Sequence, residues 1–337
     1  MTTTMKALVA DGAGRIDLDD VAMPSREDWV LVRAEVSGIC GTDLHIADGL
    51  LPGAAAPIVL GHEGAGTVAH APTGSGLDIG DRVALLSTVP CGGCLVCRTG
   101  RGHCTSPVGQ LGFTLPGTFS DFWQAPAANL ITLPESVSFE DGALLGCAGI
   151  TAVRAVRAAQ VEPADLVVVN GIGGVGLAVI QAAVAHGCRV IAIADSADKA
   201  GLASDTGAFR AVVGPAATAE SIDECAGGDS ITAFFDLVCT PASANAAMDT
   251  LAAGGRYLVL TSSGQPLEID PGLVLSKELR LVGSLAGTRD DFELALRLTL
   301  QGDMRAQVDR RYPLVAAMTG LERVRQRQAV GRNLIVW

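Results

Sequence analysis

The segment 164–187, ADLVVVNGIGGVGLAVIQAAVAHG, constrains the fold more than any other part of the chain. A run of Leu and Val too apolar to alternate is followed by a glycine turn and then by an apolar, helix-forming stretch. A strand with no polar face must be covered on both sides, and helices packed on both faces of a parallel sheet do that. The pattern recurs in CRVIAIAD (188–195), ITAFFDLV (231–238), RYLVLTSS (256–263) and LRLVGSLAG (279–287), with alanine-rich stretches among them. Such alternation predicts an α/β architecture with a doubly wound parallel sheet.

The glycine turn carries its own chemistry. Gly171, Gly173 and Gly176, with Gly174 and Val175 between them, spell G-x-G-x-x-G. Glycine makes up 41 of 337 residues, so the pattern has weight only through its place between strand and helix. There the first glycine permits a tight turn, the second lets backbone approach a pyrophosphate, and the third lets helix and strand pack closely. The helix N-terminus adds N–H groups and a partial positive charge for the phosphates. Asp195 ends the second strand, where a carboxylate accepts hydrogen bonds from ribose hydroxyls and repels a 2′-phosphate. The expected cofactor is NAD(H) rather than NADP(H).

Residues 1–145 have another texture. WVLVRAEVSGI (29–39), GAGTVAHA (64–71) and GDRVALLS (80–87) read as short strands between connectors rich in Gly and Pro. GALLGCAGITAVRAVRAAQ (142–160) reads as a helix leading into the second region, and the tail holds the helix DDFELALRLTLQGD and a final strand, RNLIVW. The apolar stretches are broken by charge or glycine before about 18 residues, so no membrane-spanning helix is expected. A net charge of −12 leaves no basic stripe for a phosphate backbone, which excludes nucleic acid as a partner.

Nine cysteines accompany an N-terminus, MTTTMKALVADGAG, without the apolar core of a secretory leader. Reduced thiols and metal ligands in a cytoplasmic protein are therefore expected rather than a disulfide framework. Cys91, Cys94, Cys97 and Cys104 form C-x2-C-x2-C-x6-C, a spacing that closes a tetrahedral four-thiolate site. Zinc is the default metal there, and a closed shell makes the site structural. His103, adjacent to Cys104, is the alternative fourth ligand, thiolate being the softer donor. A second, dispersed set comprises Cys40 in GICGTDLH, His62 with Glu63 in GHEG, and Cys147 in LLGCAGITA. Two thiolates and an imidazole leave a fourth position for water or substrate, the catalytic form of a zinc site.

GICGTDLH, GHEGAGTV, GDRVAL, CGGCLVCRTGRGHC, GCAGITA, GIGGVG and the tail VGRNLIVW stand in this order along the whole chain. In that order they resemble the zinc-dependent alcohol dehydrogenases of the medium-chain dehydrogenase/reductase superfamily. The lobe departs from the family in having six rather than seven residues between its third and fourth thiols. The resemblance implies a GroES-like β-rich catalytic domain over 1–145, completed by about 287–337, and a Rossmann NAD-binding domain over 146–286, with the active site where they meet. It implies that Cys40, His62 and Cys147 hold a catalytic zinc that Glu63 approaches during ligand exchange, and that Asp43 orients the zinc histidine. Thr42 and His45 resemble a proton relay that runs through a nicotinamide-ribose hydroxyl and ends at bulk water. Arg332 resembles an arginine that reaches the cofactor pyrophosphate, and Lys199 one that contacts the adenosine ribose.

The activity so implied is NAD-dependent hydride transfer between an alcohol and its ketone or aldehyde, with two zincs per chain. Ser87 resembles a pocket position that is often aromatic in enzymes for short primary alcohols. With Leu51 and Leu111 it suggests a secondary, cyclic or polyol substrate. Competing readings are a redox-neutral epimerase or lyase with tightly held NAD, and a non-catalytic binding protein on the same fold. A homotetramer or homodimer is expected, with small-molecule alcohols or carbonyls as the partners.

Overall fold

The computed structural model describes residues 4–99, 104–214, 218–262 and 264–337. The chain divides into two compact units, 1–147 with 306–337, and 148–305.

The second unit is built on a six-stranded sheet in the order 210–213, 189–194, 166–170, 231–236, 251–259, 280–283, with every neighbouring pair parallel. This is the doubly wound order in which the connection reverses beside the first strand. Leu166–Asn170 is buried throughout, as its unbroken apolar run requires. Arg210–Val213 carries no comparable sequence signal, because an edge strand needs no continuous apolar run; two of its four residues are half-buried and two exposed.

The first unit holds a seven-stranded sheet centred on Val30–Ile39, which pairs with Gly64–His70, Phe122–Ala125 and the C-terminal strand Arg332–Val336. Val30, Val32, Ala34, Trp123 and Leu85 form one core cluster. Leu8, Ile39, Leu44, Ile58 and Leu321 belong to another. The tail thus completes the sheet whose central strand leads directly into Cys40.

Two expectations need correction. The units part at 147/148 and 305/306, not at 145/146 and 286/287, because the helix Arg289–Gln301 belongs to the second unit. Its buried Asp291 caps it from position N3 and accepts hydrogen bonds from Arg157 at 2.6 Å and Arg154 at 3.5 Å, both in that unit. Phe139–Ala159, furthermore, forms one helical stretch long and apolar enough by composition to cross a membrane. The helix runs through Gly142, Gly146 and Gly149, and most of its residues are packed inside the protein.

Candidate active site

Cys40 follows the central strand and N-caps the helix Gly41–Ala47. Asp43, at the third helical position, accepts the Cys40 N–H on Oδ2 at 2.8 Å, and its Oδ1 lies 3.0 Å from His62 Nδ1. One buried carboxylate therefore caps the helix and orients the imidazole. A carboxylate only accepts, so Nδ1 carries the proton and Nε2 keeps its lone pair for a metal.

Cys147 arrives by a different device. The helical stretch widens to a π-helix over Leu145–Gly149, with Cys147 at its centre. Such single-turn widenings redirect side chains and cluster at functional sites. The result brings Cys40, His62, Glu63 and Cys147 together, one ligand atom from each lying within 4.8 Å of all the others. Cys40, His62 and Glu63 are buried.

The electrostatics suit a cation. The hydrogen bond from Cys147 holds the Cys40 thiol well below its ordinary value, against burial, with help from the Arg332 charge. Cys147 is correspondingly pushed well above its own by that bond and by burial. For His62, burial favours the neutral ring, but the charge and hydrogen bond of Asp43 outweigh it and raise its pKa. Burial lifts the Glu63 carboxyl to about 7, against the opposing charge of Arg332. Arg332 Nη2 lies 2.9 Å from Glu63 Oε1, yet neither Glu63 oxygen has an aligned hydrogen bond among the described residues. Two thiols, an imidazole and a carboxylate in one buried cluster fit a catalytic zinc. No side chain fits at Gly38, because a Cβ there would collide with the Glu63 carboxylate. That requirement was missed in the sequence and has no local signal.

The lobe thiols also converge. Cys94 and Cys97 sulfurs lie 3.4 Å apart, and Cys91–Cys97 and Cys94–Cys104 each 3.9 Å. A tetrahedron with Zn–S of about 2.3 Å sets its sulfurs about 3.8 Å apart, so this set fits a structural zinc. Backbone N–H groups of Cys97 and Thr105 hold Cys94 down to about 5, while burial lifts Cys97 to about 12. Cys104 joins the cluster, whereas His103 lies outside the described residues.

Of the remaining expected residues, Thr42 Oγ1 lies 3.6 Å from Cys40 Sγ, and His45 is exposed three positions further along the same helix. Ser87 is buried, with its Oγ 3.4 Å from Gln110 Nε2, and Leu51 packs against the first unit's core. Leu111 has no exposed surface and packs in the cluster containing Leu85, Val89 and Trp123, so it does not line an open cleft. Its place between the short strand Gly109–Gln110 and the turn at Gly112 gave no sign of which way the side chain points.

In the second unit, Gly171 adopts φ +101°, and a Cβ at Gly176 would strike the Gly171 carbonyl. Gly173 caps the helix Gly174–Ala185 without a side-chain bond, and a Cβ there would meet nothing within 4 Å. Backbone open on that side suits a phosphate. Asp195 is partly exposed and pairs with Lys199 Nζ at 2.9 Å. Arg332, by contrast, stands beside Glu63 in the first unit.

Residues 26–135 match the alcohol dehydrogenase GroES-like domain and residues 174–301 the zinc-binding dehydrogenase family. An alcohol dehydrogenase of Geobacillus stearothermophilus is 30% identical over 83% of this chain and 84% of its own. The acryloyl-coenzyme A reductase of Metallosphaera sedula is 30% identical over 98% of this chain and 99% of its own. Among solved structures, the alcohol dehydrogenase of Aeropyrum pernix has a TM-score of 0.90 at 30% identity, covering 99% of this chain and 100% of that one. The acetophenone reductase of Geotrichum candidum, solved with NAD, has a TM-score of 0.88 at 25% identity, covering 100% and 98%. With the motifs in their order and both cysteine sets assembled, the chain belongs to the zinc-dependent alcohol dehydrogenases of the medium-chain dehydrogenase/reductase superfamily.

Proposed function

We propose that this dehydrogenase transfers a hydride between NAD(H) and a secondary, cyclic or polyol alcohol and its carbonyl partner. The observation that carries the reading is the convergence of Cys40, His62, Glu63 and Cys147 on one point, with Asp43 behind the histidine. Bound there, zinc supplies Lewis-acid polarisation of the substrate oxygen, and NAD bound at the glycine turn supplies the hydride acceptor. Cys40, His62 and Cys147 would hold the metal, with the Glu63 carboxylate in the same cluster as a further oxygen donor within its reach. Cys91, Cys94, Cys97 and Cys104 hold a second, structural zinc. Gly171, Gly173, Gly174, Val175 and Gly176 receive the pyrophosphate, and Asp195 takes the adenosine ribose, with Lys199 beside it; Arg332 is instead engaged with Glu63 at 2.9 Å.

The Thr42 hydroxyl would take the substrate proton as it passes its own on through a nicotinamide-ribose hydroxyl, and the exposed His45 imidazole would release it to water. Substituting His45 by glutamine is expected to remove an ionisation from the pH profile of kcat/KM, and an unchanged profile would sink the relay.

Ser87 and Leu51 stand as pocket residues, and a small polar Ser87 supports a roomy site. The reading is tested by an NAD-coupled screen of primary, secondary, cyclic and polyol substrates in both directions. Cyclohexanol is expected to exceed ethanol in kcat/KM, and a strong ethanol preference counts against the substrate class. Stoichiometric NAD that fails to exchange, with no net NADH from any substrate, indicates the redox-neutral alternative. Absence of both turnover and catalytic zinc indicates a binding protein.

The edge strand Arg280–Gly283 carries the exposed Leu281, with Leu275 and Leu285 exposed nearby in the chain. Exposed apolar side chains at a sheet edge support a homodimer or homotetramer, whose mass light scattering reports. The nine free cysteines support a cytoplasmic setting.

A further inference from the structure

Asp236 ends the strand Ile231–Asp236 at the carboxyl edge of the parallel sheet and has no exposed surface. Five donors converge on it. Oδ1 accepts Asn170 Nδ2, the Val238 N–H and the Cys239 N–H, each at 2.9 Å. Oδ2 accepts Ser243 Oγ at 2.6 Å and the Tyr257 hydroxyl at 2.8 Å. These donors come from the strand Leu166–Asn170, the loop 237–240, the helix Pro241–Thr250 and the strand Leu251–Val259. Core stability alone does not call for a buried carboxylate here, since well-packed apolar groups serve as well or better.

What the carboxylate adds is position. Asn170 immediately precedes Gly171, and the Leu237 N–H donates to the Asn170 carbonyl at 2.9 Å. A Cβ built on Gly171 would meet Val238 Cγ2 at 3.1 Å and Leu237 Cβ at 3.2 Å, so the loop is a wall of the glycine turn. That loop passes through Cys239 at φ +50°, a left-handed conformation that a non-glycine residue keeps only when its surroundings impose it. The N–H bond to Asp236 Oδ1 and a bond from Cys239 Sγ to the Asp236 carbonyl at 3.2 Å impose it.

From this convergence we infer that Asp236 is a positioning residue of the dinucleotide site, setting Gly171 and Val238 where the cofactor binds. The inference rests on the glycine turn being the NAD site. Asp236 acts on affinity through the loop and the turn, without touching the reacting atoms.

The test is NADH affinity, by fluorescence titration, alongside zinc content. Asp236→Ala removes the carboxylate from all five donors, of which Ser243 Oγ keeps the Thr240 carbonyl at 3.0 Å, and is expected to raise the NADH Kd about tenfold, with zinc content unchanged. Asp236→Asn keeps one carbonyl for the N–H groups and offers its amide to two hydroxyls that can turn to accept. It is expected to restore Kd to within about threefold of the wild type. Asn170→Ala, which removes one donor, is expected to fall between them. A folded Asp236→Ala protein that binds NADH within about twofold of wild type overturns the inference. Should that variant not fold, an unaltered Kd in Asn170→Ala overturns it instead. If the wild type itself binds no NADH, the nucleotide reading fails and this inference falls with it. Wild-type binding with unaffected variants removes this inference alone.

Discussion

Substituting His62 by alanine is expected to lower kcat/KM by at least about 10³-fold, while one zinc per chain is retained in the lobe. The imidazole supplies the one nitrogen donor of the four-residue cluster and is buried, so water replaces it poorly. Removing it leaves two thiols, Glu63 and Arg332 in a buried space, a set in which the arginine competes with the metal for the carboxylate. Substituting Asp43 by asparagine is expected to act by the same route but less severely. The amide can still present its oxygen to the Cys40 N–H, as the carboxylate does at 2.8 Å. Its NH₂ then faces His62 Nδ1 and favours the tautomer with the proton on Nε2, where the metal needs a lone pair. A loss of about 10–100-fold in metal affinity follows. Zinc analysis after dialysis against graded chelator, with kcat/KM on the same samples, measures both variants. Retention of activity within about tenfold in His62→Ala would remove the site from the mechanism.

The two metal sets differ in how far the sequence revealed them, and the reason is chain separation. The four lobe thiols lie within one short loop, so spacing alone announces the cluster. Cys40, His62 and Cys147 come from a strand end, a loop and a helix, and only the resemblance to a family joins them. Nothing in GALLGCAGITA distinguishes a π-turn from an ordinary helix, because the apolar spacing is compatible with both. Yet the π-turn over Leu145–Gly149 is the backbone feature on which Cys147 sits. The pairing of Arg332 with Glu63 is equally silent, since it depends on the last strand docking beside the central one. The glycine turn was legible because its requirements are local: a positive φ at Gly171 and a close approach at Gly176. Its bracing by Asp236 was not, because the five donors are drawn from four elements. Leu111 shows the opposite limit. An apolar residue in a turn-rich segment gives no indication of which face it takes, and here it joins the core.

Substituting Cys97 by alanine is expected to open the lobe while leaving the other zinc in place. The lobe has little apolar packing of its own: its helix Leu95–Thr99 has no buried residue, and Leu95 and Val108 are 67% and 61% exposed. A segment with so little core is held by its metal or not at all. The Cys97 thiol is pushed up to about 12, first by burial and then by its bonds to Cys94 and Cys104. It lies within 3.9 Å of two other sulfurs, so its loss removes a central ligand of the shell. Zinc is expected to fall from two per chain to one, and limited proteolysis within 91–104 to accelerate by about 100-fold or more, a local stability loss of about 3 kcal/mol or more. Activity at 25 °C is expected to stay within about tenfold of wild type, because Cys40, His62 and Cys147 are untouched. The variant therefore mirrors His62→Ala, which loses turnover and keeps the lobe intact. An unchanged cleavage rate with one zinc lost would mean that backbone contacts such as the Thr88–Val89 pairing with Gly109–Gln110 hold the lobe without its metal.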